Sequence, residues 1–198
     1  MIAADPYPWP CSGTLDPCRL ALVVTGDQPA WTGRSLGVSE ATAVIATVAD
    51  AVRHAGGTVV HVRHGRSSWR RPGLPPARED PSWGLSRLVP SGDVVVDATG
   101  IDGFYGSALD RELRDRAVDT LVLAGYGGEA TVSSTLRSAN DRGYECLTLT
   151  DGVAMFDART GGPTLSSITM SGGIFGAIAP SSALLAALSV PTLLEALP

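Results

Sequence analysis

Cysteine is scarce in this chain: Cys11, Cys18 and Cys146 are the only three, and none belongs to a Cys-x-x-Cys pair. An odd number at irregular spacing builds no disulfide framework, so a reducing compartment, the cytoplasm, is the expected address. Basic residues are also few. Fifteen Lys and Arg against 20 Asp and Glu leave a net charge of -5, which excludes the basic surface that nucleic-acid binding needs. No apolar run is long enough to cross a membrane. The first residues, MIAADPYPWP, lack the basic region and apolar core of a signal peptide. Charged residues make up 18% and apolar residues 44% of 198, a balance that suits one globular domain with a sizeable core.

What is there alternates. A proline-rich arm, residues 1–18, reads as irregular chain lying over the surface through Tyr7 and Trp9, and the domain proper is expected over 19–198. Short apolar runs at 19–25, 58–63, 93–97, 121–124, 145–150 and 174–179 predict six strands. Between them, apolar residues at helical spacing predict helices after Ser39, near Ser107 to Ala117, from Glu129, near Pro163 to Met170, and after Pro180. That order dictates an α/β fold: a three-layer α/β/α, six-stranded parallel Rossmann-like sheet with its site at the strands' carboxyl ends. Residues 65–90, rich in Arg, Pro, Ser and Trp, form a long loop read as a lid or pocket wall lined by Trp69 and Trp83.

The stretch LVLAGYGGEATVSSTLRSANDR, from Leu121 to Arg142, reads as strand, glycine-rich turn and helix. Such a turn offers backbone amides to a negative or polarised oxygen. Gly125, Gly127 and Ala130 fit GxGxxG/A, and Asp151 stands at the end of the next strand where a ribose-binding acid would be. A nucleotide reading therefore stays open beside the plainer one, a glycine-rich turn serving another α/β site.

Several segments carry a resemblance across nearly the whole chain. They are YPWP at 7–10, LALVV followed by Gln28, GDVVVDATGIDGFYGSALD from 92, DTLVLAGYGG from 119, ANDRGYECLTLTDG from 139 and GGIFGAIAPS from 172. Together they resemble the isochorismatase-like, or cysteine hydrolase, superfamily, closest to its biuret hydrolase and ureidoacrylate amidohydrolase branch. The resemblance implies the same six-stranded sheet, a homo-oligomer (dimer or tetramer), a small-molecule ligand, no cofactor and no metal. It also implies amide hydrolysis by a Cys at the start of the helix after the fourth strand, with an Asp after the first strand as base and a Lys after the third. Matched motif to motif, those positions fall on Thr131, Gly26 and Ala98, and a second lysine of the closest branch falls on Ile101. All the charged participants are replaced, so family-type cysteine hydrolysis is not expected. Cys146 lies inside a strand and Cys11 and Cys18 in the arm, which makes each a poor substitute.

The resemblance further implies a cis peptide at Tyr126–Gly127 and an oxyanion hole from the amides at Gly127 and Thr131. Thr131 as nucleophile would need an adjacent base that no motif supplies. Candidate catalytic groups are therefore Asp27, Asp102 and Thr131. Gly26, Ala98, Tyr126, Gly127, Gly128, Glu129, Trp31, His64 and Phe104 are candidates for ligand contact. Asp27 and Asp102 have two readings, as pocket carboxylates suited to general acid work or as loop residues that cap turns. Some relatives act on vinyl ethers by acid catalysis without a Cys, although they keep the first-strand Asp. His61 and His64 face opposite sides of their strand, which is no metal pair, and Arg66 and Arg70 are lid residues that could grip an acidic ligand. Three functions remain: a repurposed small-molecule enzyme acting by acid–base or positioning chemistry, a catalytically dead ligand-binding or regulatory subunit, and a nucleotide-binding protein.

Overall fold

The protein was analysed as a computed structural model, which describes residues 1–65 and 81–189. Trp69, Arg66 and Arg70 lie outside the described residues. Six parallel strands form one sheet: β1 (Leu20–Thr25), β2 (Thr58–His64), β3 (Val94–Ala98), β4 (Thr120–Tyr126), β5 (Glu145–Ala154) and β6 (Ala177–Ala179). Their order is β3-β2-β1-β4-β5-β6. The six α-helices among the described residues are α1 (Pro29–Thr32), α2 (Val38–His54), α3 (Leu109–Arg114), α4 (Ser133–Asp141), α5 (Ala158–Gly173) and α6 (Ser181–Leu188). None of these helices is long and apolar enough to cross a membrane.

β1 and β4 are buried along their whole length. Successive residues point to opposite faces, and both faces are covered, so the apolar run is continuous rather than alternating. Leu20, Leu22 and Val24 join Val122, Ala124 and Tyr126 beneath α2, α6 and the N-terminal arm. Ala21 and Val23 join Leu121 and Leu123 beneath α3, α4 and α5. Leu123→Ala, at a fully buried central position, is expected to cost about 3 kcal/mol in equilibrium unfolding.

The arm is more regular than its composition suggests. Ile2 and Trp9 bridge each other, Asp5 pairs with Ile178 of β6, and Trp9 is fully buried. Asp5 thereby covers part of an edge strand. Several element boundaries also move. β5 runs past the predicted end to Ala154, and Asp151 spends its carboxylate on the amide (2.8 Å) and hydroxyl (2.7 Å) of Ser181 at the start of α6. α5 starts earlier because Asp157 caps it by accepting from Arg159 N–H (2.9 Å). α3 stops at Arg114, leaving Ala117 outside it at φ 56°. β6 is only three residues because Gly176 precedes it at φ 108°, where a Cβ would meet the Cys146 carbonyl oxygen at 2.4 Å.

The chain passes from β1 outward to β3 and then returns to β4 on the other side of β1. The carboxyl ends of β1 and β4 therefore flank the point where strand order reverses, which is where open α/β sheets bind ligands.

Candidate active site

Gly26 follows β1 and Gly127 follows β4, both at positive φ (70° and 71°). The helix expected from Glu129 begins instead as a wide π-type turn over Gly128–Val132, and α4 follows from Ser133. Gly128 permits this, because a Cβ there would meet Met155 Sδ at 2.4 Å and Val153 Cγ1 at 2.5 Å.

Thr131 is fully buried in that turn. Its hydroxyl donates to the Tyr126 carbonyl (2.5 Å) and accepts from the Thr25 hydroxyl (3.2 Å). Both capacities are used, and neither neighbour is a base. Gly26 leaves no room beside it: a Cβ there would lie 2.4 Å from the Tyr126 carbonyl oxygen and 3.1 Å from Thr131 Oγ1. Ala98 ends β3 on the α3 face as a buried core residue, its carbonyl accepting from Gly65 N–H (2.6 Å).

The amides expected to form an oxyanion hole are engaged internally. Gly127 N–H donates to Ser35 Oγ (3.1 Å), and Thr131 N–H donates to the Gly127 carbonyl (2.9 Å). The Tyr126–Gly127 peptide is trans, in contrast to the expected cis form; the cis peptides among the described residues precede Pro6 and Pro10. Glu129 ties the turn to the β5–α5 loop, accepting from Phe156 N–H (2.8 Å), Asp157 N–H (3.1 Å) and the Thr160 hydroxyl (2.5 Å). Burial alone would raise its pKa, but these donors outweigh that and hold it below the ordinary carboxylate value.

The two candidate aspartates part company. Asp27 is nearly buried and accepts from Arg87 through Nε (3.1 Å) and Nη2 (2.9 Å). The same Nη2 donates to the Tyr126 hydroxyl (2.6 Å), which also contacts Thr42 Oγ1 (2.7 Å). Asp102 instead accepts from Phe104 N–H (2.9 Å) and the Ser138 hydroxyl (2.6 Å), so it caps its own turn against α4. Neither carboxylate is hydrogen-bonded to Thr131. Phe104 turns inward, stacked on Tyr144 with centroids 5.8 Å apart, and is a core residue.

Trp31, His64, Trp83 and Phe156 form an aromatic wall next to the Asp27–Arg87 pair. Trp31 meets His64 edge-on (6.2 Å between centroids) and Trp83 edge-on (5.9 Å), and stacks on Phe156 (6.1 Å). Gln28 fixes this wall by accepting from His64 N–H (2.7 Å) and donating to the carbonyls of His64 (3.0 Å) and Trp83. His64 Nδ1 lies 3.0 Å from the Gly100 carbonyl. Burial pushes the imidazole down to about 4, so it is neutral at physiological pH.

The sequence reading missed Arg87, Gln28 as a bridge, Ser35 and Thr25. Arg87 pins the segment after Pro81 over the end of β1, helped by Ser86 N–H donating to the Asp27 carbonyl (2.8 Å). Arg87→Met should cost about 1–2 kcal/mol, since it strands a nearly buried carboxylate, while the guanidinium's own exposure limits the loss. A double-mutant cycle with Asp27→Asn is expected to give less than the sum of the single effects. No cluster of three or more His, Cys, Asp or Glu suited to a metal ion occurs among the described residues.

Comparison with known proteins agrees with this architecture. A streptothricin hydrolase from Streptomyces noursei is 31% identical over 153 residues, 75% of this chain and 59% of that protein. A ureidoacrylate amidohydrolase from Methylobacterium radiotolerans is 40% identical over 68 residues, 34% of this chain and 26% of that protein. Both alignments span less than two thirds of the relative. The crystal structure of a cysteine hydrolase from Pseudomonas syringae pv. phaseolicola superposes with a TM-score of 0.78 at 23% identity, covering 88% of this chain and 94% of that one. The Isochorismatase domain model matches residues 21–167, and the chain belongs to that family.

Proposed function

We propose that this chain is a hydrolase-family protein that binds a small carbonyl- or carboxylate-bearing molecule at the β1/β4 switch point and forms no covalent enzyme intermediate. Arg87 would grip the ligand's oxygen, Asp27 would exchange or steer a proton, and the Tyr126 hydroxyl would add a hydrogen bond. The observation that carries this reading is the Thr131 hydroxyl, buried and committed to the Tyr126 carbonyl at 2.5 Å with no base in contact. A hydroxyl so held yields no appreciable alkoxide. No other residue supplies the family chemistry: the sequence contains no lysine, and burial pushes the Cys146 thiol well above its ordinary value. Assembly as a dimer or tetramer belongs to the same proposal.

A second reading is a catalytically silent ligand-binding or regulatory subunit. The internal acceptors on the Gly127 and Thr131 amides favour it. Turnover assays with ureidoacrylate and streptothricin, beside thermal shifts with small amides and carboxylates, test both. The leading reading predicts stabilisation by a ligand and any turnover retained within about threefold in Thr131→Val. Ligand stabilisation with no turnover of any compound favours the second, and turnover abolished by Thr131→Val overturns the first.

A further inference from the structure

Residues 81–87 lie as a strap over the end of β1, and the holds at its two ends differ in kind. At Trp83 the hold is neutral: Gln28 donates to the backbone carbonyl, and the ring meets Trp31 edge-on. At Arg87 it is ionic. The guanidinium grips Asp27 Oδ2 through Nε (3.1 Å) and Nη2 (2.9 Å), and the adjoining Ser86 N–H donates to the Asp27 carbonyl (2.8 Å).

The ionic end consumes the groups that an oxyanion would need. Arg87 can only donate, so the Tyr126 hydroxyl, which accepts from its Nη2 (2.6 Å), turns its own hydrogen to Thr42 Oγ1 (2.7 Å). Asp27 fills the Nε–Nη2 edge, the same edge that Arg53 and Arg63 present to Asp93 and Asp97. Beside the closed strap two buried polar atoms have no partner among the described residues, Trp31 Nε1 and His64 Nε2. The Gly100 carbonyl takes the His64 Nδ1 proton, which leaves Nε2 a bare acceptor. Opening the strap gives water a route to this donor and this acceptor, which offsets part of what the broken ion pair costs.

We infer that Asp27 and Arg87 form an autoinhibitory electrostatic latch: Asp27 stands in for an external carboxylate, and an oxyanion that takes its place on Arg87 releases the Arg87 end of the strap while the Trp83 end stays hinged on Gln28. The Arg87 side chain is 39% exposed against 5% for Asp27, so a dissolved anion reaches the guanidinium before Asp27 lets go. A neutral molecule has no charge to exchange and leaves the latch shut. The link to ligand binding rests on the proposed β1/β4 site.

Amide hydrogen exchange of the full-length protein by NMR tests the latch, read at Ser86 with Leu123 in β4 as the reference for global unfolding. Benzoate at about 50 mM is expected to speed exchange at Ser86 at least about tenfold with Leu123 unchanged, and benzyl alcohol, its neutral counterpart, to leave both unchanged. Raising sodium chloride from about 0.05 to about 1 M should speed Ser86 about threefold with no ligand present. In Arg87→Met the Ser86 amide should be fast from the start and unresponsive to either anion. Release by chloride, with benzoate no more effective than chloride at equal concentration, supports the latch and removes the switch point as a carboxylate site. No release by either anion, release by benzyl alcohol as well, or Ser86 and Leu123 speeding together overturns the latch.

Discussion

Lowering the pH from 6.5 to 4 is expected to remove about 3 kcal/mol of stability through His64 alone. Burial holds its pKa at about 4 in the folded chain, against 6.5 for the free side chain. Between those values the unfolded chain binds a proton that the folded chain refuses, so stability rises with pH across the window and is fully present above 6.5. A shift of this size corresponds to about 3 kcal/mol. Urea unfolding of the native sequence and of His64→Gln at pH 7, 5.5 and 4 reads the effect, and the variant should lose the steep dependence. An equal slope in both would place the acid sensitivity elsewhere. Asp93 acts in a lower window. Its burial opposes ionisation, but hydrogen bonds from Arg53 and His61 outweigh that and hold its pKa below 3.8, so its contribution disappears only as pH falls below the ordinary carboxylate range.

Gly26→Ala and Gly26→Asp should each cost at least about 3 kcal/mol. The residue sits at φ 70°, and an added Cβ would press on the Tyr126 carbonyl oxygen at 2.4 Å, a backbone atom in a central strand turn that moves only with the sheet. Gly37 provides the control, because it has the same φ of 70° and nothing within 4 Å of its virtual Cβ. Gly37→Ala therefore carries the backbone strain alone, about 1 kcal/mol. A Gly26→Ala cost no greater than that of Gly37→Ala would show that the β1 end has room for a side chain. The same clash means that Gly26→Asp combined with Thr131→Cys is expected to show no amide hydrolysis, since the introduced side chain would start against the Tyr126 carbonyl oxygen.

The sheet was legible in the sequence because a parallel strand covered on both faces is apolar nearly throughout, and 20–24 and 121–124 are so at every position. The turn after β4 was legible as a glycine turn but not as a π-type one. Its shape depends on Val153 in β5 and Met155 just after it, which leave no mark on local periodicity. Asp27 and Asp102 illustrate the same boundary. Both look like loop carboxylates, and only the fold assigns Arg87 to one and Ser138 to the other. Phe104 sits in a glycine-rich loop that suggests a pocket wall, yet the stacking partner that draws it inward, Tyr144, precedes β5. His64 was readable as a strand-end residue. Its open nitrogen was not, because that depends on the Gly100 carbonyl fixing the tautomer.

Acid-quenched intact-mass spectrometry of the protein incubated with ureidoacrylate, streptothricin and benzamide reads directly whether a covalent enzyme intermediate forms. The unmodified mass is expected at every time point, with benzamide protecting the fold against heat. A mass increase equal to the substrate's acyl part, mapped to Thr131 and absent from Thr131→Val, would contradict it.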